Sequence, residues 1–227
     1  MYTYLLLNIF TIAIPLALSF DKKVQFWKKW KFLFPAIFIT LIFFIIWDHF
    51  FTKEGIWGFN PDYLVGVWLL GLPLEEWLFF ITVPYACVFI YESLNAYIKT
   101  DNLKSIATVV TLPLATLLII LALVFNDQAY TFYNFLFSGF FILLHWLLFR
   151  YKYLGRFLRA YLVHLIPFVV VNGVLTSIPV VWYNNAENFS FRIGTIPVED
   201  FIYSLLLLLM NITIYEYLRN KNQKAQT

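Results

Sequence analysis

"PLEEWLFFITVPYACVFIYE", residues 73–92, and "PVEDFIYSLLLLLMNITIYE", residues 197–216, align without a gap. Pro73, Glu75, Ile90, Tyr91 and Glu92 are matched by Pro197, Glu199, Ile214, Tyr215 and Glu216, and Glu76 by the acidic Asp200. Each stretch sets two adjacent acids at the head of an apolar run, and about 20 such residues are enough for a helix to cross a bilayer. An ionised carboxylate is costly beside hydrocarbon. Its recurrence in register therefore decides the reading: an internal repeat of membrane helices that carries an acid pair at one place in each copy.

The composition agrees with immersion in lipid. The chain is 62% hydrophobic and only 13% charged, against about 25% charged residues in a soluble domain. Cys87 is the single cysteine and sits within an apolar run, which excludes a disulfide framework and a cysteine metal site. The first apolar stretch follows Met1 with no basic lead, and "SFDKKVQFW" after it has no small-residue cleavage pattern; it reads as a retained membrane helix.

Seven spans are predicted: residues 2–20, 32–51, 73–95, 105–125, 130–149, 158–180 and 197–218. If they alternate, the loops after spans 1, 3 and 5 and the C-terminal tail hold 14 of the 16 basic residues, leaving Lys53 and Arg192 on the other side. The positive-inside rule then places the N-terminus outside and the C-terminus in the cytoplasm of a multi-pass cell-membrane protein. The spans before each acidic stretch also correspond, with basic loops "DKKVQFWKKWK" and "RYKYLGRFLR" in matching places. The expected fold is all-α and polytopic, seven transmembrane helices in a parallel 3+1+3 repeat: residues 1–96, a connector over 97–128, and 129–227. The single connecting span restores the direction that an odd number of crossings would invert, so both acid pairs come to one depth around a pseudo-twofold axis along the membrane normal.

Two functions compete for the acids. Proline at the first helical position with acids in the first turn makes a good helix start and needs no further purpose. Yet two adjacent acids exceed what one cap requires, intramembrane acids are functional candidates, and the preceding loop "WDHFFTKEGIWGFNPDYLVGVWLLG" is aromatic enough for a folded lid. Glu75, Glu76, Glu199 and Asp200 are the expected catalytic residues, able to supply one neutral acid and one ionised base.

"FNPDYLVGVWLLGLPLEEWLFF" (59–80) together with "WYNNAENFSFRIGTIPVEDFIY" (182–203) resembles the small membrane lycopene cyclases of bacteria, archaea and fungi. In that family the enzyme is two three-span subunits or one fused chain; the fused form is present here, and the likeness covers essentially the whole chain. The family is not similar to flavin cyclases, and no G-x-G-x-x-G follows a strand. The resemblance implies no cofactor and no metal. It implies a redox-neutral isomerisation: protonation of a terminal double bond of a linear carotene, attack on the cation by a neighbouring double bond, and loss of a ring proton to give β-ionone rings. Lycopene or a related linear carotene is the implied partner, with the lipid bilayer around it, no nucleic acid, and other carotenoid-biosynthesis enzymes as possible neighbours.

Aromatic faces stabilise cations. Trp57, Phe59, Trp68, Trp77, Phe79, Phe80, Trp182 and Tyr183 fall near the acids, although aromatics also gather at membrane interfaces. Trp77 and Phe80, a helical turn or less from the glutamates, are singled out, and Asp48, Asn60, Tyr203, Trp182 and Asn184 complete the candidate substrate-contacting and cation-stabilising set. His49 beside Asp48, and Asn172 at a similar level of span 6, are weaker candidates. Asn60 and Asn184 are turn formers first. Glu92, Glu216, His145 and His164 fall toward the cytoplasmic ends, where pairing of the two glutamates with basic residues is expected. The composite site predicts that Glu75→Gln and Glu199→Gln each abolish cyclisation. Three alternatives remain at this point: a cyclase of C50 carotenoids, a one-ended cyclase, and a non-enzymatic seven-helix carotenoid or lipid carrier. A retinylidene protein is excluded, because no lysine lies within a span.

Overall fold

A computed structural model describes residues 2–224; the ends of the expected repeats at residue 1 and at 225–227 lie outside them. Seven helices dominate: α1 (Thr3–Leu18), α2 (Trp30–Lys53), α3 (Leu74–Tyr97), α4 (Lys104–Val124), α5 (Ala129–Phe149), α6 (Leu154–Ser177) and α7 (Val198–Lys224). Among the described residues six helical segments are long and apolar enough to cross a membrane, with α2 extended by the one-turn 3-10 helix Phe26–Lys29. α1 has 16 residues, which at 1.5 Å per residue gives about 24 Å, short of the bilayer core. Large apolar side chains such as Phe10, Ile14, Val109 and Ile166 stand exposed around the bundle. In a chain of this composition they face lipid, and the protein is a polytopic membrane protein.

Between α2 and α3 the chain forms β1 (Trp57–Phe59), a 3-10 turn at Pro61–Tyr63, and a hairpin of β2 (Trp68–Leu69) and β3 (Leu72–Pro73). Between α6 and α7 it repeats the order: β4 (Val181–Tyr183), a 3-10 turn at Asn185–Glu187, and a hairpin of β5 (Arg192–Ile193) and β6 (Ile196–Pro197). Their turns differ in chemistry. Leu70 and Gly71 both have positive φ, the pattern of a type I′ turn, whereas Gly194 takes the positive φ at the first central position of the other. From α2 to the start of α3 the elements recur 124 positions later, Trp30–Lys53 against Leu154–Ser177 and Leu74 against Val198.

The two sets meet reciprocally. β1 and β4 pair antiparallel, with Trp57 opposite Tyr183, Gly58 opposite Trp182 and Phe59 opposite Val181. Asn60 N donates to Val180 O and Asn184 N to Ile56 O, each at 2.9 Å. At the far end of the bundle Tyr91 donates to Glu216 and Tyr215 to Glu92, again at 2.9 Å each. When residue i of one half meets j of the other, and j's counterpart meets i's, the contact is isologous. Its axis passes through the Gly58–Trp182 pair.

Lipid offers little hydrophobic incentive for helices to associate, so close packing and hydrogen bonds must hold them. α4 shows the packing: a Cβ on Gly139 of α5 would lie 2.9 Å from the Ala115 carbonyl oxygen. The inner network shows the hydrogen bonds. Glu92 also pairs with Lys29 and with Arg219 at 3.0 Å, and Arg219 reaches Glu216 at 3.6 Å, the pairing expected for these glutamates.

Candidate active site

Both acid pairs open their helices directly after a proline-ended strand, so the first turns of α3 and α7 rise side by side beneath the β1–β4 roof. Adjacent residues on a helix point about 100° apart, and the members of each pair separate accordingly. Glu76 and Asp200 turn into one cavity of about 600 Å³ between α1, α3, α6 and α7. Glu75 and Glu199 turn the other way. Glu75 Oε1 accepts from Val65 N at 2.6 Å, and Glu199 Oε1 accepts from Phe189 N at 2.7 Å and from Thr131 Oγ1 at 2.8 Å. The sequence groups four carboxyls in one site; the structure instead leaves these two fully buried as anchors for the loops above them.

Asp48, from the last turns of α2, completes the polar end. It lines the same cavity as Glu76, and its Oδ1 accepts from Tyr203 Oη at 2.9 Å. Glu76 Oε2 accepts from Tyr4 Oη at 2.5 Å. Asp200 is served from three sides, by Tyr130 at 2.6 Å, Tyr183 at 2.9 Å and Asn172 Nδ2 at 3.0 Å. Burial, with Asp200 next to it, pushes the Tyr183 phenol well above its ordinary pKa, so it stays a donor. Trp57, Phe59, Phe79 and Tyr183 place aromatic surface on the same end. Beyond the acids the lining is almost wholly apolar and runs down to Cys87 and His164, whose Sγ and Nδ1 are 3.2 Å apart.

The remaining candidates sit elsewhere for definite reasons. Trp77 is half-buried, and its indole N–H braces the β2 hairpin at Leu69 O, 3.2 Å away. Phe80 is buried against Phe44, ring centroids 5.5 Å apart, on a face away from the cavity. Trp182 is 45% exposed and folds its indole over Gly58. Asn60 and Asn184 close their 3-10 turns, accepting from Asp62 N and Ala186 N. His49 points out of the site to Leu70 O at 2.7 Å. His145 bonds Thr213 and His164 faces Cys87, so the histidines and inner glutamates do not gather at one point.

Two groups escaped the sequence reading, Tyr4 and Tyr130. A signal for them exists. "YLLLN" (4–8) and "YTFYN" (130–134) repeat a Tyr-x-x-x-Asn spacing. The asparagines, one helical turn on, donate to the carbonyls of Glu75 at 3.0 Å and Glu199 at 2.7 Å. The tyrosines thereby reach the acid that follows in each case.

The family model for lycopene cyclase matches residues 1–94 and 127–218, both halves without the helix that links them. The bifunctional lycopene cyclase/phytoene synthase of Aspergillus oryzae is 27% identical over 157 residues, 63% of this chain and 26% of the fungal protein. Its namesake in Neurospora crassa is 37% identical over 49 residues, 22% of this chain and 8% of that protein. The lycopene beta-cyclase of Halobacterium salinarum is 30% identical over 71 residues, 31% of this chain and 29% of the archaeal protein. The chain thus spans under a third of the length of each of these relatives. No solved structure matches it. With a roof, acids and tyrosines repeated in both halves, and a family model that spans those same halves, the chain belongs to the lycopene cyclase family.

Proposed function

We propose that the protein is an enzyme that cyclises the ends of a linear carotene, lycopene or a close relative, to β-ionone rings without net oxidation or reduction. The observation that carries this is one apolar cavity with Asp48, Glu76 and Asp200 gathered at a single end. The hydrogen bonds divide the labour. Asp48 and Glu76 set two buried carboxyls on one apolar cavity, where like-charge crowding favours a retained proton, so this pair is read as the acid, with Glu76 at the substrate. Asp200 accepts from three donors and gives to none, the setting of an ionised carboxylate; it is the base.

Glu76 adds its proton to the terminal double bond of the end group. The cation left on the adjacent carbon takes an electron pair from the neighbouring double bond, which closes the six-membered ring. Asp200 removes the ring proton beside the new cation. One proton enters and one leaves, so substrate and product are isomers. Trp57, Phe59 and Tyr183 stabilise the positive intermediates through their ring faces, and the apolar wall keeps out water that would trap them. The archaeal relative's name, lycopene beta-cyclase, supports the β ring.

The chain is read as two repeats, 1–96 and 129–227, about a connector at 97–128, in a cell membrane with the N-terminus outside. The distribution of basic residues favours that orientation and sets the acids near the outer leaflet. Expression in lycopene-accumulating cells tests the function. The expected product is β- or γ-carotene by chromatography, and lycopene left unchanged by a folded, membrane-inserted protein overturns it.

A further inference from the structure

The two halves differ at the seam each presents to lipid. On the proposed reading of the substrate, we infer that a carotene end enters sideways between α1 and α6, and that the equivalent seam between α5 and α2 is sealed by aromatic side chains. Tyr4 and Asn8 of α1 correspond to Tyr130 and Asn134 of α5 by their matching bonds. Carried one and two turns on, the same register sets Thr11 against Phe137. The register of α2 and α6 sets Trp47 against Val171 and Phe43 against Pro167.

In the α5–α2 seam these positions interlock. The Phe137 ring lies 5.2 Å from that of Trp47 and 5.6 Å from that of Phe43, all edge to face. In the α1–α6 seam, Thr11, Val171 and Pro167 leave the space unfilled, and all three line the cavity. Phe10, Ile14 and Val170 line it too, although they are 70%, 68% and 63% exposed. A side chain can do both only at a mouth, and this mouth faces lipid tails.

Its dimensions fit one end of a polyene. The stretch of α1 from Tyr4 to Pro15 that lines the cavity rises about 16 Å, against about 30 Å of bilayer core. One end group and part of the chain fit within, while the rest lies along the helices in the membrane. A second ring on the same molecule then requires it to leave and return reversed, because the other seam admits nothing.

The test moves the seal to the open seam. Thr11→Phe, Val171→Trp and the double variant are compared with the wild type, and with Val109→Trp on the lipid face of α4. Two quantities are read: carotene retained on the purified protein in detergent, by its visible absorption, and ring formation in lycopene-accumulating cells. Thermal unfolding reports the fold. Each single substitution is expected to lower retention and ring formation several-fold, the double to abolish both, and Val109→Trp to change neither. Full retention in the double variant overturns the portal; if the double fails to fold, full retention in both single variants does the same. A wild type that retains lycopene but closes no ring refutes the catalytic reading, and the retention series still decides the portal. Absence of retention in the wild type overturns it.

Discussion

At the scale of single residues, neighbours in sequence have unlike surroundings. Glu76 and Asp200 reach the cavity, while Glu75 and Glu199 hold backbone N–H groups at 2.6 and 2.7 Å. Glu76→Gln and Asp200→Asn should therefore lower ring formation by about 10²–10⁴-fold, the scale of general acid–base catalysis, with little change in thermal unfolding. Glu75→Gln and Glu199→Gln should act on the fold instead, by about 1–3 kcal/mol for a weakened buried acceptor, and retain measurable turnover. Pigment chromatography alongside thermal unfolding separates the two patterns. Tyr130→Phe removes one of three donors to Asp200; a bond to a charged group is worth about 1.5–3 kcal/mol, so ring formation should fall roughly ten- to hundred-fold. The acids were legible in the sequence because charge at the head of an apolar run is conspicuous. Which member of each pair faces the cavity was not, because that depends on the rotation of the helix beneath its loop. Tyr4 and Tyr130 were hidden by composition: in a chain with 15 tyrosines, one more near a membrane surface stands out only through its spacing to an asparagine.

At the scale of elements, the helices were readable from hydropathy and the roof was not. Trp57–Phe59 and Val181–Tyr183 are three residues each, too short for an alternating pattern, and they exist as strands because they find each other across the axis. Helix contacts in lipid depend on small residues. A Cβ on Gly155 of α6 would stand 2.6 Å from the backbone nitrogen of Lys104 at the start of α4. That obstacle is backbone and cannot rotate away, so Gly155→Ala should cost about 1–3 kcal/mol, measured by thermal unfolding in detergent, and loosen α4 before the acid site is disturbed.

Across the whole molecule, the duplicated plan was legible from the 73–92 and 197–216 stretches alone, since their terminal Tyr-Glu pairs repeat in register. What those pairs do was not: each tyrosine serves the glutamate of the other half. Tyr91→Phe and Tyr215→Phe should each cost about 1 kcal/mol and, because Glu92 and Glu216 share Arg219, the double variant should depart from additivity in a mutant cycle. The pairing of Gly58 with Trp182 reaches further still. At a twofold centre, a residue can only face its own counterpart. Two copies of the second half would drive indole into indole there, and two copies of the first would leave a notch with nothing to fit it. The unlike halves are thus keyed to one another at a single spot: bulk on one side demands vacancy on the other, and a self-matched assembly of either kind is refused before any substrate arrives.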